Sequence, residues 1–155
     1  MDKNKEKILI YFENSVGFVN KLSKLSDQEW QSLTENGKWT VAGIIVHFIS
    51  LDAFVLHHRV PYFKKGGVFP KEPDKDKIKH QSLIESKIRK KEDVIEQFIL
   101  GRRSLIVAIN NLEDELWKKN YKINSASYTI SKYFSEYIDY DIKLFHKIKK
   151  AINLK

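Results

Sequence analysis

The stretch Gly37-Lys38-Trp39-Thr40-Val41-Ala42-Gly43-Ile44-Ile45-Val46-His47-Phe48-Ile49 decides how the chain folds. A glycine closes a polar run and a tryptophan follows. Thr40 is placed as a helix N-cap, because its hydroxyl can accept a hydrogen bond from a first-turn backbone N–H. The residues after it are almost wholly apolar and hold one titratable group, His47. At about 100° per residue, Ile44, His47, Leu51, Phe54, Val55 and His58 share one face. Val41, Ile45, Phe48 and Asp52 form the stripe beside it. A helix apolar over so much of its circumference belongs at the centre of a bundle. It is expected over residues 40–59, with Pro61 arguing for the stop.

Outward from this helix, Ile8, Phe12, Ser15, Val19 and Leu22 recur at helical spacing and predict a first helix over 3–25. Ser26 with Glu29 three residues on is a capping-box arrangement, and Glu35-Asn36-Gly37 reads as a turn. Residues 60–76 carry Pro61, Gly66, Gly67, Pro70 and Pro73 and are expected to form a long loop, a candidate lid. Residues 77–91 predict a short, marginal helix. The third main helix is expected over 92–112, with Arg102 interrupting the stripe Ile95, Phe98, Leu105, Ile109 and Leu112. Gly101 inside it hints at close packing. A polar connection over 118–127 leads to a fourth helix over 127–152. Ile130, Phe134, Ile138, Phe145, Ile148 and Ile152 face inward there, interrupted by Asp141. No segment alternates with period two, so no strand is expected, and no long repeat is visible. The expected architecture is all-α: one domain over 1–155, a four-helix bundle with a long crossover between helices two and three.

Composition narrows the function. At 155 residues and 42% apolar, the chain is long enough for a real core. It has no cysteine, which removes disulfides, thiolate nucleophiles and thiolate metal sites. The formal charge of +8 comes from 28 basic and 20 acidic residues spread along the chain. The densest cluster, Lys87, Arg89, Lys90 and Lys91, runs straight into Glu92 and Asp93, with no aromatic–glycine motif beside it. A solvated lysine-rich surface is therefore expected, with no nucleic-acid partner. No run approaches the ~20 apolar residues of a membrane span, and the run at residues 8–12 is too short for a signal peptide. A cytoplasmic protein without a membrane partner is expected.

Three polar residues, His47, Arg102 and Asp141, interrupt apolar stripes on different helices. A buried unpaired charge is costly, so at least two of them should meet. Asp141 with Arg102 would form an ion pair. Asp141 with His47 would raise the histidine pKa and fix its tautomer. Either pair could also serve only to set helix register. Spacing alone supports no metal site. His47 has Gly43 and Leu51 one turn away on either side, and His58 is about 16 Å along the helix at ~1.5 Å per residue. His146 is flanked likewise by Ile142 and Lys150. There is no Gly-x-Ser-x-Gly elbow, Walker loop or Gly-x-Gly-x-x-Gly.

The segment Gly37-Lys38-Trp39-Thr40-Val41, followed by His47-Phe48, resembles the helix 2 signature of the DinB-like (damage-inducible) superfamily, which includes the bacillithiol and mycothiol S-transferases. In that superfamily a Trp-Ser/Thr-Val segment opens the helix, and a metal-binding histidine stands where His47 stands here. Thr129-Ile130 is similar to the start of its last helix. Tyr140-Asp141 falls where His-Asp is frequent, Leu144 where a third histidine stands, and Ile148 on a usual isoleucine. The resemblance implies the DinB-like metalloenzyme fold, with His47 as a metal ligand and the other ligand positions at Tyr140 and Leu144. Leucine cannot ligate and tyrosine seldom does, so a degenerate site with no cofactor is expected; a divalent metal, Zn²⁺ or Ni²⁺, is the alternative. The implied function is binding of a small molecule or a partner in the cleft near His47. The alternative is a thiol-dependent (bacillithiol-type) S-transferase or a metal-dependent hydrolase, with His47, Tyr140 and Asp141 as catalytic candidates. A homodimer is also implied.

Overall fold

Asp2 accepts from the backbone N–H groups of Asn4 and Lys5 and opens the first helix, α1, Lys3–Lys21, in the computed structural model. That structure describes residues 2–34 and 37–153. The expected turn at Glu35-Asn36-Gly37 lies outside these residues except for Gly37, whose φ of 65° suits glycine. A 3₁₀ turn, Leu22–Lys24, carries α1 to a single helical turn, α2, Asp27–Trp30. Ser26 and Glu29 form the full capping box there. Thr40 caps α3, Val41–His58, by accepting from Gly43 N–H at 2.9 Å.

The region after α3 differs from expectation. Pro61 does not end the helical path: it stands near the start of a short helix, α4, Val60–Lys65, where its missing N–H costs nothing. Gly66 and Gly67, both at positive φ, end that helix and open an extended loop. Asp74 caps α5, Lys75–Ile88, which starts earlier than its weak periodicity suggested. Next comes α6, Lys91–Asn110. Its Gly101 has nothing within 4 Å of where a Cβ would sit, so close packing is not the reason for that glycine.

A 3₁₀ segment, Asp114–Lys118, precedes an antiparallel hairpin of β1, Tyr121–Ile123, and β2, Ala126–Tyr128. No strand was expected from the sequence. The signal was the two-residue link Asn124-Ser125, with φ of 52° and 68°, the doubly left-handed turn that suits tight hairpins. Thr129 then caps α7, Ile130–Ile152.

The main helices close in a ring, α1 against α6, α6 against α3, α3 against α7 and α7 against α1. α5 lies on the outside of α3, where a Cβ on Gly43 would stand 2.8 Å from Leu83 Cδ2. The expected four-helix bundle with its long crossover is thus present, with two short helices and a hairpin added. The segment Val41–Lys65 is long and apolar enough to cross a membrane. Its apolar side chains, Val41, Ile44, Ile45, Phe48 and Val55 among them, are buried against protein instead.

The core divides into two halves. One gathers Val19, Leu22, Ile44, Phe48, Phe98 and Phe145, and the other Phe12, Val55, Phe63, Leu105, Ile109 and Phe134. Each main helix contributes to both. At the change-over each carries one polar residue: Ser15 on α1, Asp52 on α3, Arg102 on α6 and Asp141 on α7.

Candidate functional site

Those four residues form a saturated cluster. Arg102, 0% exposed, donates from Nε and Nη2 to the two oxygens of Asp52 at 2.9 and 2.8 Å. It donates from Nη1 and Nη2 to Asp141 at 2.7 and 3.0 Å, and from Nη1 to Ser15 Oγ at 3.1 Å. All five guanidinium N–H donors are used. Tyr11 donates to Asp141 and Tyr137 to Asp52, each at 2.6 Å. Phe12, Phe48 and Phe98 enclose the guanidinium carbon at 5.1, 5.4 and 4.8 Å. Burial works to strip the arginine of its proton, and the two carboxylates outweigh it, holding the pKa well above normal. Burial likewise raises Asp52, against the pull of Arg102. Tyr137 is pushed well up by burial and by Asp52, so its hydroxyl remains a donor.

Of the two pairings open to Asp141, the structure makes the one with Arg102. His47 has different neighbours. Its Nε2 lies 3.0 Å from the Tyr140 hydroxyl, and its ring stacks obliquely on Trp39 with centroids 4.9 Å apart. It is 0% exposed, and its Nδ1 has no hydrogen-bond partner. Burial, then Lys75 and Lys79 on α5, lower its pKa to about 4. The ring is therefore neutral at pH 7. A buried N–H without an acceptor is rarer and costlier than a bare lone pair. The proton thus belongs on Nε2, donated to Tyr140, with the lone pair on Nδ1. The Tyr140 hydroxyl keeps its own proton to give elsewhere.

The residues at the positions where the resemblance implies metal ligands, His47, Tyr140 and Leu144, do not fit a metal. Leu144 has no donor atom, Asp141 is committed to Arg102 and Tyr11, and Tyr140 has its pKa raised by burial, which disfavours the phenolate. Among the described residues no group of three His, Cys, Asp or Glu converges on a metal position.

What Tyr140 does touch is a pocket. A cavity of about 210 Å³ lies between α3, the segment 72–75, β2 and α7, lined in part by Phe54, Lys75, Tyr133, Tyr137 and Tyr140. Tyr140 joins this cavity to His47, and Tyr137 joins it to the Arg102 cluster. Lys75 Nζ sits 4.6 Å from the centre of the Tyr140 ring, and Lys79 Nζ 4.5 Å from that of Trp39. Of the residues singled out in the sequence, His47 and Tyr140 meet at this site, while Asp141 and Arg102 meet behind it. Tyr137, Tyr133 and Lys75 were not foreseen. The one available signal was the spacing Tyr133, Tyr137, Tyr140, three hydroxyls on one side of α7.

No family model matches the sequence, and no curated protein is similar to it in sequence. Two solved structures are similar in fold. The crystal structure of a mycothiol-dependent maleylpyruvate isomerase aligns with a TM-score of 0.65 at 16% identity, covering 98% of this chain and 69% of that one. A histidine-to-alanine mutant of such an isomerase aligns at 0.66 and 14% identity with the same coverage. At these identities the likeness is one of fold alone.

Proposed function

We propose that this DinB-like bundle binds a small molecule in the tyrosine-lined pocket beside His47, without a metal. The observation that carries this is the place of Tyr140. Its ring lines the pocket, and its hydroxyl lies 3.0 Å from Nε2 of the buried His47; with the imidazole proton on Nε2, that hydroxyl accepts from His47 and has its own proton free for a ligand. At about 210 Å³ the pocket is below the ~300–1,000 Å³ of drug-sized sites, so the ligand is small. A histidine with a pKa near 4 is a poor general base at neutral pH, which favours binding over proton abstraction by His47.

Chemical-shift mapping with small aromatic probes tests the pocket: shifts are expected at Tyr133, Tyr137 and Tyr140, and shifts confined to other surfaces would refute it. Calorimetry with Zn²⁺ and Ni²⁺ tests the metal-free reading. Micromolar binding that disappears in His47→Ala would overturn it.

A thiol-dependent S-transferase is the second reading. It is favoured by the fold shared with a mycothiol-dependent enzyme. In it Tyr140, oriented by His47, gives the proton, since Asp141 is held by Arg102. Turnover of an electrophile with bacillithiol or mycothiol, lost in Tyr140→Phe, would establish it.

A further inference from the structure

Arg59 ends α3 and is as buried as Arg102, at 0% exposure. Its guanidinium carbon lies 4.7 Å from the centre of the Phe54 ring, 5.7 Å from Phe69 and 6.0 Å from Tyr133. Nη1 donates to two carbonyls, His58 at 3.0 Å and Pro70 at 2.8 Å, which holds the loop after α4 in place but brings no negative charge. The Nε–H is buried without a partner. Among the described residues the one carboxylate on this group is Glu72, 3.5 Å from Nη2. The Tyr133 hydroxyl is a further, neutral partner of the guanidinium. Charge-assisted hydrogen bonds are typically ~2.7–2.9 Å, so the one negative charge that meets this buried cation does so through a long contact.

Glu72 is itself loosely held. Its side chain is 42% exposed, and its other contact, from Asn124 Nδ2, is also 3.5 Å long. Glu72, Phe54 and Tyr133 all line the 210 Å³ pocket, so the carboxylate that reaches Arg59 stands in the pocket wall. Lys75, in the same wall, has no carboxylate partner among the described residues; its contact is the Tyr140 ring.

We propose that Glu72 is a replaceable counter-ion, and that the pocket takes a small aromatic carboxylate whose carboxylate displaces Glu72 from Arg59 while its ring lies against Phe54 and Tyr133. The inference rests on the pocket being the ligand site. The aromatic wall selects the ring, and the long Glu72 contact marks where the acid group goes. Displacement of Glu72 moves a half-exposed carboxylate into water, at small cost. Of the other charged groups in the wall, Lys75 is left to share the incoming charge, while Glu136 accepts from the Tyr128 hydroxyl at 3.2 Å.

Calorimetry on the full chain at pH 7 with benzoate and with benzamide, alike in shape but uncharged, tests this. Benzoate is expected to bind about tenfold more tightly to Glu72→Gln than to the unaltered protein, with benzamide unchanged. In the same variant the Arg59 Nε–H resonance should shift on adding benzoate, a readout that needs no arginine substitution. Benzamide binding without any benzoate gain in Glu72→Gln overturns the proposal and leaves the pocket standing. Failure of both probes to bind either protein removes the pocket reading, and the proposal with it.

Discussion

Arg59 and Arg102 are both fully buried guanidinium groups, and they are built in opposite ways. Arg102 meets two carboxylates at 2.7–3.0 Å and spends every N–H. Arg59 meets one carboxylate at 3.5 Å and keeps Nε–H to itself. The first joins four helices at the bundle's midpoint and has nothing left to offer a ligand. The second sits behind a pocket wall with bonding capacity in reserve. Burial therefore does not distinguish a structural polar group from one available to a ligand; saturation does. His47 belongs with Arg59 by this measure, because its Nδ1 is unpartnered.

The largest effect should come from Arg102→Met. It leaves Asp52 and Asp141 buried side by side without a cation, and a loss of about 3–5 kcal/mol in urea unfolding is expected. A loss below about 1 kcal/mol would break the contrast with Arg59. Adding Asp52→Asn and Asp141→Asn to that variant should recover much of the loss, since neutral amides carry no repulsion.

The next effect is pH-dependent and concerns His47. Its folded pKa, about 4, is below the unfolded value near 6.5. Between those values the unfolded chain binds the proton and the folded one does not, so stability rises with pH across this window and falls on acidification through it. Roughly 3 kcal/mol is at stake between pH 6.5 and 4. Denaturation curves of His47→Asn should be flatter over this range. An equal slope in both proteins would show that the histidine is not held neutral.

The smallest effect should be that of Glu72→Gln. Its half-exposed, long contact with Arg59 is expected to contribute less than about 1 kcal/mol to thermal stability. A loss as large as that of Arg102→Met would mean that Glu72 is structural, and the two arginines would no longer contrast.

Much of the fold was legible because helix period and caps are local. Thr40 and Ser26 cap as their sequence context requires, and the stripes on all four main helices face inward. The central pairing was half legible. Arg102 and Asp141 stood out as charges on apolar stripes, whereas Asp52 lay on a flanking stripe, and nothing in the local pattern marks Tyr11 or Tyr137. A sequence shows that a polar group is buried; only the tertiary path shows what satisfies it. Pro61 misled because the same ring that ends one helix can begin another. Arg59 was invisible as a site residue because it stands where α3 ends, and its partners Pro70, Phe69 and Glu72 come from a loop without periodicity. The ligand positions at Tyr140 and Leu144 were read from resemblance; in the structure Tyr140 stands between His47 and the pocket.

Gly43 has a reach beyond packing. The missing methyl lets Leu83 close onto α3, and Leu83 follows Lys79 by one helical turn and Lys75 by two. The same helix, α5, carries both ammonium groups over Trp39 and Tyr140. Those two charges add to burial in lowering the proton affinity of His47, so how closely α5 docks on α3 bears on that histidine. Evolutionary drift at position 43 or 83 could retune that histidine while every residue that touches it stayed the same.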